Sequence, residues 1–155
     1  MKPLLLALMT LHALPMAGAI AADYNWHAVE WRQDRIEYGV PETDNRLLGL
    51  ECTAAGRVVL WGPIPGSNWE FSDGREVTVS LRAGSLKRYV RGHMGEAGNG
   101  INFVVMLSPK SPFLAQLRSG KSLEIAHSGN RYQITGRGGE TLIEKLLSAC
   151  QKGGL

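Results

Sequence analysis

Apolar and polar residues alternate with period two in several segments after residue 22, which is the pattern of half-buried β-strands. In residues 76–81, for example, two valines and a leucine alternate with Glu, Thr and Ser. Leu48, Leu50 and Cys52 share one strand face by the same spacing, so the cysteine should point inward with the leucines. Residues 101–107 are apolar on both faces, which is typical of a central strand.

Two segments carry helical signals instead. Residues 111–119 begin with Ser111 and Pro112, which suit the start of a helix, and Gly120 follows as a terminator. Residues 140–150 place apolar side chains, Cys150 included, at helical spacing. We therefore predict a mainly β (α+β) fold of about eight strands, in an antiparallel two-sheet β-sandwich-like domain with one short helix and a C-terminal helix.

The first 22 residues have the order of a signal peptide: Lys2, an apolar run over residues 4–14, and small residues up to Ala21 and Ala22. We predict cleavage near Ala21 or Ala22, a periplasmic or secreted location, and one domain over residues 23–155. No later apolar stretch reaches the roughly 20 residues that a transmembrane helix needs, so none is expected.

The chain has two cysteines, Cys52 and Cys150. In an exported protein, an even pair of thiols on inward-facing positions predicts a structural disulfide. This bridge would tie the C-terminal helix to an early strand, and it would leave no thiol for catalysis.

Motifs for chemistry are sparse. The chain has neither a His-Glu-x-x-His run nor a Gly-x-Ser-x-Gly elbow, so we expect no metal, no cofactor and no catalytic residues of these kinds. A formal net charge of +3 is too mild to indicate a nucleic-acid partner. Four acidic residues lie close in sequence and leave carboxylate catalysis as an alternative; they are Glu30, Glu37, Glu42 and Asp44.

The first candidate binding element is a loop in which two tryptophans bracket a stiff Gly/Pro-rich turn. Its site residues are Trp61, Pro63, Pro65 and Trp69. Such a loop could present a flat aromatic platform to a protein or glycan. The commoner alternative is that both indoles fold back against the core.

The second candidate is a stripe on one strand face, formed by Lys87, Tyr89, Arg91 and His93. Of these we assign Tyr89 and Arg91 to binding, because a basic and aromatic stripe can receive an anionic glycan or an acidic protein surface. The favoured alternative is a solvated edge strand whose charges discourage edge-to-edge pairing.

These observations predict a non-enzymatic binding or accessory module of the bacterial envelope that recognises a protein or glycan. One alternative is an envelope hydrolase that uses carboxylates. Another is an inhibitor or immunity protein for a secreted toxin.

Three segments also carry a resemblance. They are Tyr-Gly-Val-Pro-Glu-Thr-Asp-Asn from Tyr38, Pro-Phe-Leu from Pro112, and the ending Leu-Leu-Ser-Ala-Cys at Cys150. Together with the strand that ends at Cys52, they resemble a group of small exported proteobacterial proteins of unknown function. The resemblance implies an envelope location and a disulfide-closed β-rich fold, and it transfers no activity. The terminal helix is loosely similar to invasion-associated exported proteins, whose usual additional cysteine is missing here.

Overall fold

The computed structural model describes residues 23–66, 74–97 and 100–152. The predicted signal peptide and Trp69 lie outside the described residues. The strands are β1 (Asn25–Val29), β2 (Arg32–Gly39), β3 (Arg46–Cys52), β4 (Val58–Pro63), β5 (Glu76–Ala83), β6 (Leu86–Ala97), β7 (Gly100–Leu107), β8 (Ser122–His127) and β9 (Asn130–Thr135). The helices are α1 (Pro112–Arg118) and α2 (Glu140–Gln151).

The mainly β fold with two helices is confirmed, and its strands are all antiparallel to their neighbours. Hydrogen bonds join the nine strands of the described residues into one sheet, in the order β1-β2-β3-β4-β7-β6-β5-β8-β9. The sequence predicts about eight strands in two sheets. The link between the two expected sheets is the β6–β7 hairpin, which contributes one strand to each half.

This link is a fork between β6 and β7. The two strands pair from Ala97 and Gly100, next to the hairpin turn, only as far as His93 and Val104. Beyond that point β6 pairs with β5 alone and β7 with β4 alone. Gly92 sits at the branch point, where an added Cβ would collide with the Val104 carbonyl oxygen. The sheet therefore divides into a β1-β2-β3-β4-β7 half and a β6-β5-β8-β9 half.

The two halves face each other across one hydrophobic core. The Trp26 indole on β1 donates a hydrogen bond to the Thr135 carbonyl at the end of β9, over 2.7 Å. The Tyr132 hydroxyl on β9 donates to the Pro63 carbonyl on β4, over 3.0 Å. Fully buried side chains from both halves fill the space between them, among them Leu48, Leu50, Leu60, Val79, Leu81, Phe103, Leu123, Ile125 and Ile134. The single hydrogen-bonded sheet therefore folds over on itself, and its two halves pack face to face like the two sheets of a β-sandwich.

Turn chemistry explains the boundary between β5 and β6. Gly84 adopts a φ of 61° in the two-residue turn between β5 and β6, a conformation that glycine reaches without strain. β6 continues past His93 through Gly95, which pairs with Asn102. Glycine weakens a strand but does not end it when both neighbours supply hydrogen bonds.

The helices cover the remaining side of the core. Both lie within two residues of their predicted bounds, with Pro112 in the first turn of α1. Ser111 precedes α1 as predicted, although its side chain makes no capping hydrogen bond. The predicted disulfide is confirmed: Cys52 at the end of β3 is bonded to Cys150 on α2, with the two Cα atoms 5.5 Å apart. Among the described residues, no helix combines the length and hydropathy needed to cross a membrane.

Candidate functional site

The outward-facing side chains of β6, β5, β8 and β9 form a continuous surface, which we call the basic face. Strand alternation buries Val77, Val79 and Leu81 and sends the intervening residues of β5 outward. The registers set these residues in rows across the four strands. One row is Lys87, Arg82, Glu124 and Gln133, and the next is Tyr89, Ser80, Ala126 and Arg131.

The second row builds a depression of about 420 Å³. Its floor includes the small side chains of Ser80 and Ala126, and its walls include Tyr89 and Arg131. Tall side chains at both ends of a row of small ones leave a concave surface. A depression of this size falls at the lower end of the range for ligand sites.

A second depression of about 430 Å³ adjoins the first and shares Arg82 and Glu124 with it. It adds the exposed cations Lys121 and Arg137. Together the two depressions are lined by five lysines and arginines and by one acidic residue, Glu124. The basic face is thus far more positive than the mild net charge of the whole chain indicates.

The stripe on β6 lies at one border of this face, and all four of its members are exposed. The Tyr89 ring is 71% exposed, and the Lys87 ammonium lies 5.3 Å from the ring centre. Arg91 is 3.9 Å from Glu76 across the β5–β6 pair, at the outer limit of an ion pair. These cations remain open to solvent, so a partner can reach them.

Trp61 lies elsewhere, on the outer surface of β4 in the opposite half of the sheet. Its indole is only 4% exposed, because it covers Gly49 on β3 and is itself covered by the Arg35 guanidinium, 4.4 Å from the ring centre. Pro65 is buried and Pro63 is half-buried, with its carbonyl bound to Tyr132. For Trp61 the structure therefore supports the folded-back alternative, and the described loop residues form no open platform.

The same surface of β1, β2 and β3 carries an arginine–carboxylate cluster centred on Glu37, which is 3% exposed. Its Oε1 lies 2.6 Å from Arg35 Nη2, and its Oε2 lies 2.7 Å from Arg46 Nε. His27 Nε2 lies 3.7 Å from the same Oε2. A buried carboxylate needs such partners, because burial without them would cost several kcal/mol.

The cluster continues along β2 at its more solvated end. Arg32 donates to Asp34 over 2.8 Å and to Glu51 over 2.6 Å. The hydrogen bonds from Arg32 hold the pKa of Asp34 below its usual value, and the hydrogen bonds to Asp34 and Glu51 raise the pKa of Arg32. On the inner side of the sheet, burial raises the pKa of Tyr38 and of Tyr132.

This arrangement does not provide the paired catalytic carboxylates of a glycosidase. Both Glu37 oxygens contact arginine nitrogens, and Arg46 lies between Glu37 and Asp44. Glu30 and Glu42 occupy exposed turns. Glycoside hydrolysis needs two carboxyl groups facing each other across an accessible cleft. Within the described ranges, no group of three or more His, Cys, Asp or Glu side chains is placed to hold a metal ion.

The sequence placed Tyr89 and Arg91 on one strand face, where both are exposed, but it did not identify most of the basic face. Arg82, Lys121, Arg131 and Arg137 come from three separate parts of the chain, and no local motif connects them. Arg82 lies on β5 and Arg131 on β9, whereas Lys121 precedes β8 and Arg137 follows β9. The pairing of β8 with β5 brings these residues together, and this pairing was not readable from the sequence.

Comparisons with models of protein families, with curated proteins and with solved structures found no match to this chain.

Proposed function

We propose that this protein is a non-enzymatic binding module of the cell envelope whose basic face recognises an acidic surface on a partner protein. The observation that carries the proposal is the concentration of five cations against one carboxylate around two adjoining depressions. Such a local field attracts acidic partners and orients them. Export after cleavage near Ala21 or Ala22 belongs to the same proposal, and the disulfide fits a protein outside the cytoplasm.

The composition of the face favours a protein partner. Tyrosine and arginine are enriched at protein–protein interfaces. Tyr89 and Arg131 flank the first depression and are exposed, and Arg131 also lies 3.9 Å from Glu124. The face also spans four strands, or roughly 14 Å between the outer two, since neighbouring strands lie about 4.8 Å apart. A surface of this width suits an extended acidic segment. An acidic glycan is the competing ligand, because an exposed aromatic ring beside cations also suits a charged sugar.

The test compares two probes, fluorescein-labelled poly-L-glutamate and fluorescein-labelled dextran sulfate, by fluorescence anisotropy. The variant Arg82→Glu/Arg131→Glu reverses two charges on the basic face. The variant Lys110→Glu/Lys145→Glu reverses two exposed lysines outside it and so matches the change in net charge. Unfolding curves of both variants check that the fold is retained.

We expect poly-L-glutamate to bind the wild-type protein, with a Kd at least tenfold weaker in the first variant and within twofold of wild type in the second. Equal losses in the two variants would show attraction by net charge alone and would refute a defined site. Binding of dextran sulfate without binding of poly-L-glutamate would refute the protein partner in favour of a glycan.

A further inference from the structure

Among the residues that the structure describes, the fork between β6 and β7 leaves one backbone edge without a partner strand. Residues 86–92 of β6 are hydrogen-bonded to β5 on one side, and on the other side β7 has turned away to β4. In the described part of the chain, no other strand pairs with this side of β6. Unpaired strand edges are templates for the addition of a further strand.

The hydrogen bonds of Met94 identify the residues that face the open side. Met94 donates to the Arg75 carbonyl and accepts from the Gly74 amide, so its backbone groups point toward β5. Backbone groups of successive strand residues point to opposite edges, and no register shift interrupts the β5–β6 pair. The amides and carbonyls of Lys87, Tyr89 and Arg91 therefore point into the fork.

The side chains around the fork are accessible. Lys87, Tyr89 and Arg91 are exposed on the basic face, and Arg88 is exposed on the other face of β6. Across the fork, the Met106 side chain on β7 is 60% exposed. Leu86 and Val90 are half-buried against the core and could contact apolar side chains of an added strand.

Charge decides which strand this edge accepts. A second copy of the chain, paired edge to edge, would bring two sets of Lys87, Arg88 and Arg91 together, and like charges on neighbouring strands are destabilising. These charges therefore oppose edge-to-edge pairing of two copies. An extended segment with Glu or Asp on the side of Lys87 and Arg91 would pair with the cations instead.

We propose that residues 87–91 of β6 accept an extended acidic segment of the partner protein as an additional antiparallel or parallel strand. The backbone of Lys87, Tyr89 and Arg91 supplies the hydrogen bonds, and the cations select acidic residues at alternate positions. This inference rests on the proposed function, because it names the form in which the acidic partner binds. It adds a contact that the basic face alone does not require.

Two substitutions at Tyr89 separate the contribution of the backbone amide to peptide binding from that of the side chain. Tyr89→Pro removes an amide that points into the fork and leaves the hydrogen bonds to β5 in place, because those come from the neighbouring residues. Tyr89→Thr removes the ring but retains the amide and the preference for a strand. The probe is a fluorescein-labelled peptide of alternating Glu and Val residues, seven residues long. Circular dichroism and melting curves of both variants check the fold.

We expect Tyr89→Pro to bind the peptide at least tenfold more weakly than Tyr89→Thr, because both variants lose the ring and only Tyr89→Pro loses the amide. In the wild-type protein, bound peptide should slow hydrogen exchange at the amides of Lys87, Tyr89 and Arg91. A version of the peptide that is N-methylated at alternate residues should bind at least tenfold more weakly. The exchange and N-methylation measurements decide the proposal even if Tyr89→Pro fails to fold.

Equal losses in the two Tyr89 variants, with unchanged exchange at the three amides, would overturn strand addition in favour of a side-chain site. If that result came with a tenfold loss in Arg82→Glu/Arg131→Glu, the proposed function would stand without this inference. If poly-L-glutamate bound the wild-type protein and the peptide did not, strand addition would fail and the proposed function would stand. If neither probe bound, both proposals would fail. A dimer seen by sedimentation equilibrium and abolished by Tyr89→Pro would assign the edge to a second copy and overturn the acidic partner.

Discussion

The disulfide between Cys52 and Cys150 should contribute most of its stability by restricting the unfolded chain. The two cysteines are 98 residues apart in sequence. In the chain-entropy model, closing a loop of about 100 residues is worth about 4.7 kcal/mol at 25 °C. With an unfolding slope of about 1.5 kcal/mol per M, this corresponds to a fall of about 3 M in the urea midpoint. Both side chains are buried, at 5% and 1% exposure, so a Cys→Ala substitution would add a packing loss.

The assay therefore compares the oxidised and reduced wild-type protein by urea unfolding, with tryptophan fluorescence as the readout. Reduction breaks the S–S bond without removing any side-chain atom. The variant Cys52→Ala/Cys150→Ala serves as a reference that reductant should not affect. A crosslink that acts on the unfolded state should also lower the unfolding slope, since it keeps that state more compact. A loss below about 1 kcal/mol on reduction, with an unchanged slope, would refute the reasoning.

Four further substitutions test the packing described above. Glu37→Gln should destabilise the protein by about 3 kcal/mol in urea unfolding, because it leaves two arginines beside a buried neutral group. The control Glu51→Gln, at a more solvated position, should cost less than about 1 kcal/mol. Tyr132→Phe should cost about 1 kcal/mol at pH 8 through the lost hydrogen bond to β4. Burial raises the pKa of Tyr132, so the contribution of this residue to stability is present below about pH 10 and is lost above it. The free energy of unfolding of Tyr132→Phe should therefore decline less steeply between pH 9 and pH 11 than that of the wild-type protein. Gly49→Ala should lower the free energy of unfolding by about 1 to 3 kcal/mol and shift the tryptophan emission, because the new methyl group would meet the Trp61 indole. Unchanged emission would contradict the contact between the indole and Gly49.

The elements themselves were largely readable from the sequence. The alternation in β5 predicted its buried and exposed faces, and the helical spacing around Cys150 predicted α2 and its buried side. The inward positions of Cys52 and Cys150 were enough to predict their bond. Local signals sufficed here because each depends on the period of one element.

The candidate site was only partly predictable. Trp61 carried the strongest sequence signal, yet it is buried by Gly49 and Arg35, which lie on β3 and β2. Arg82 and Arg131 carried no signal, yet they line the same depression. The difference arises from strand order, because a side chain's neighbours across a sheet are distant in sequence.

By itself, the sequence determined the periodicity, the two helices, the pair of cysteines and the stripe on β6. Each of these follows from residues close together in the chain. Only the tertiary structure decided that β6 and β7 part at Gly92, that one sheet folds over one core, and that β8 joins β5 to complete the basic face. These outcomes depend on which long-range pairings bury the most apolar surface at once, and no single segment carries that information.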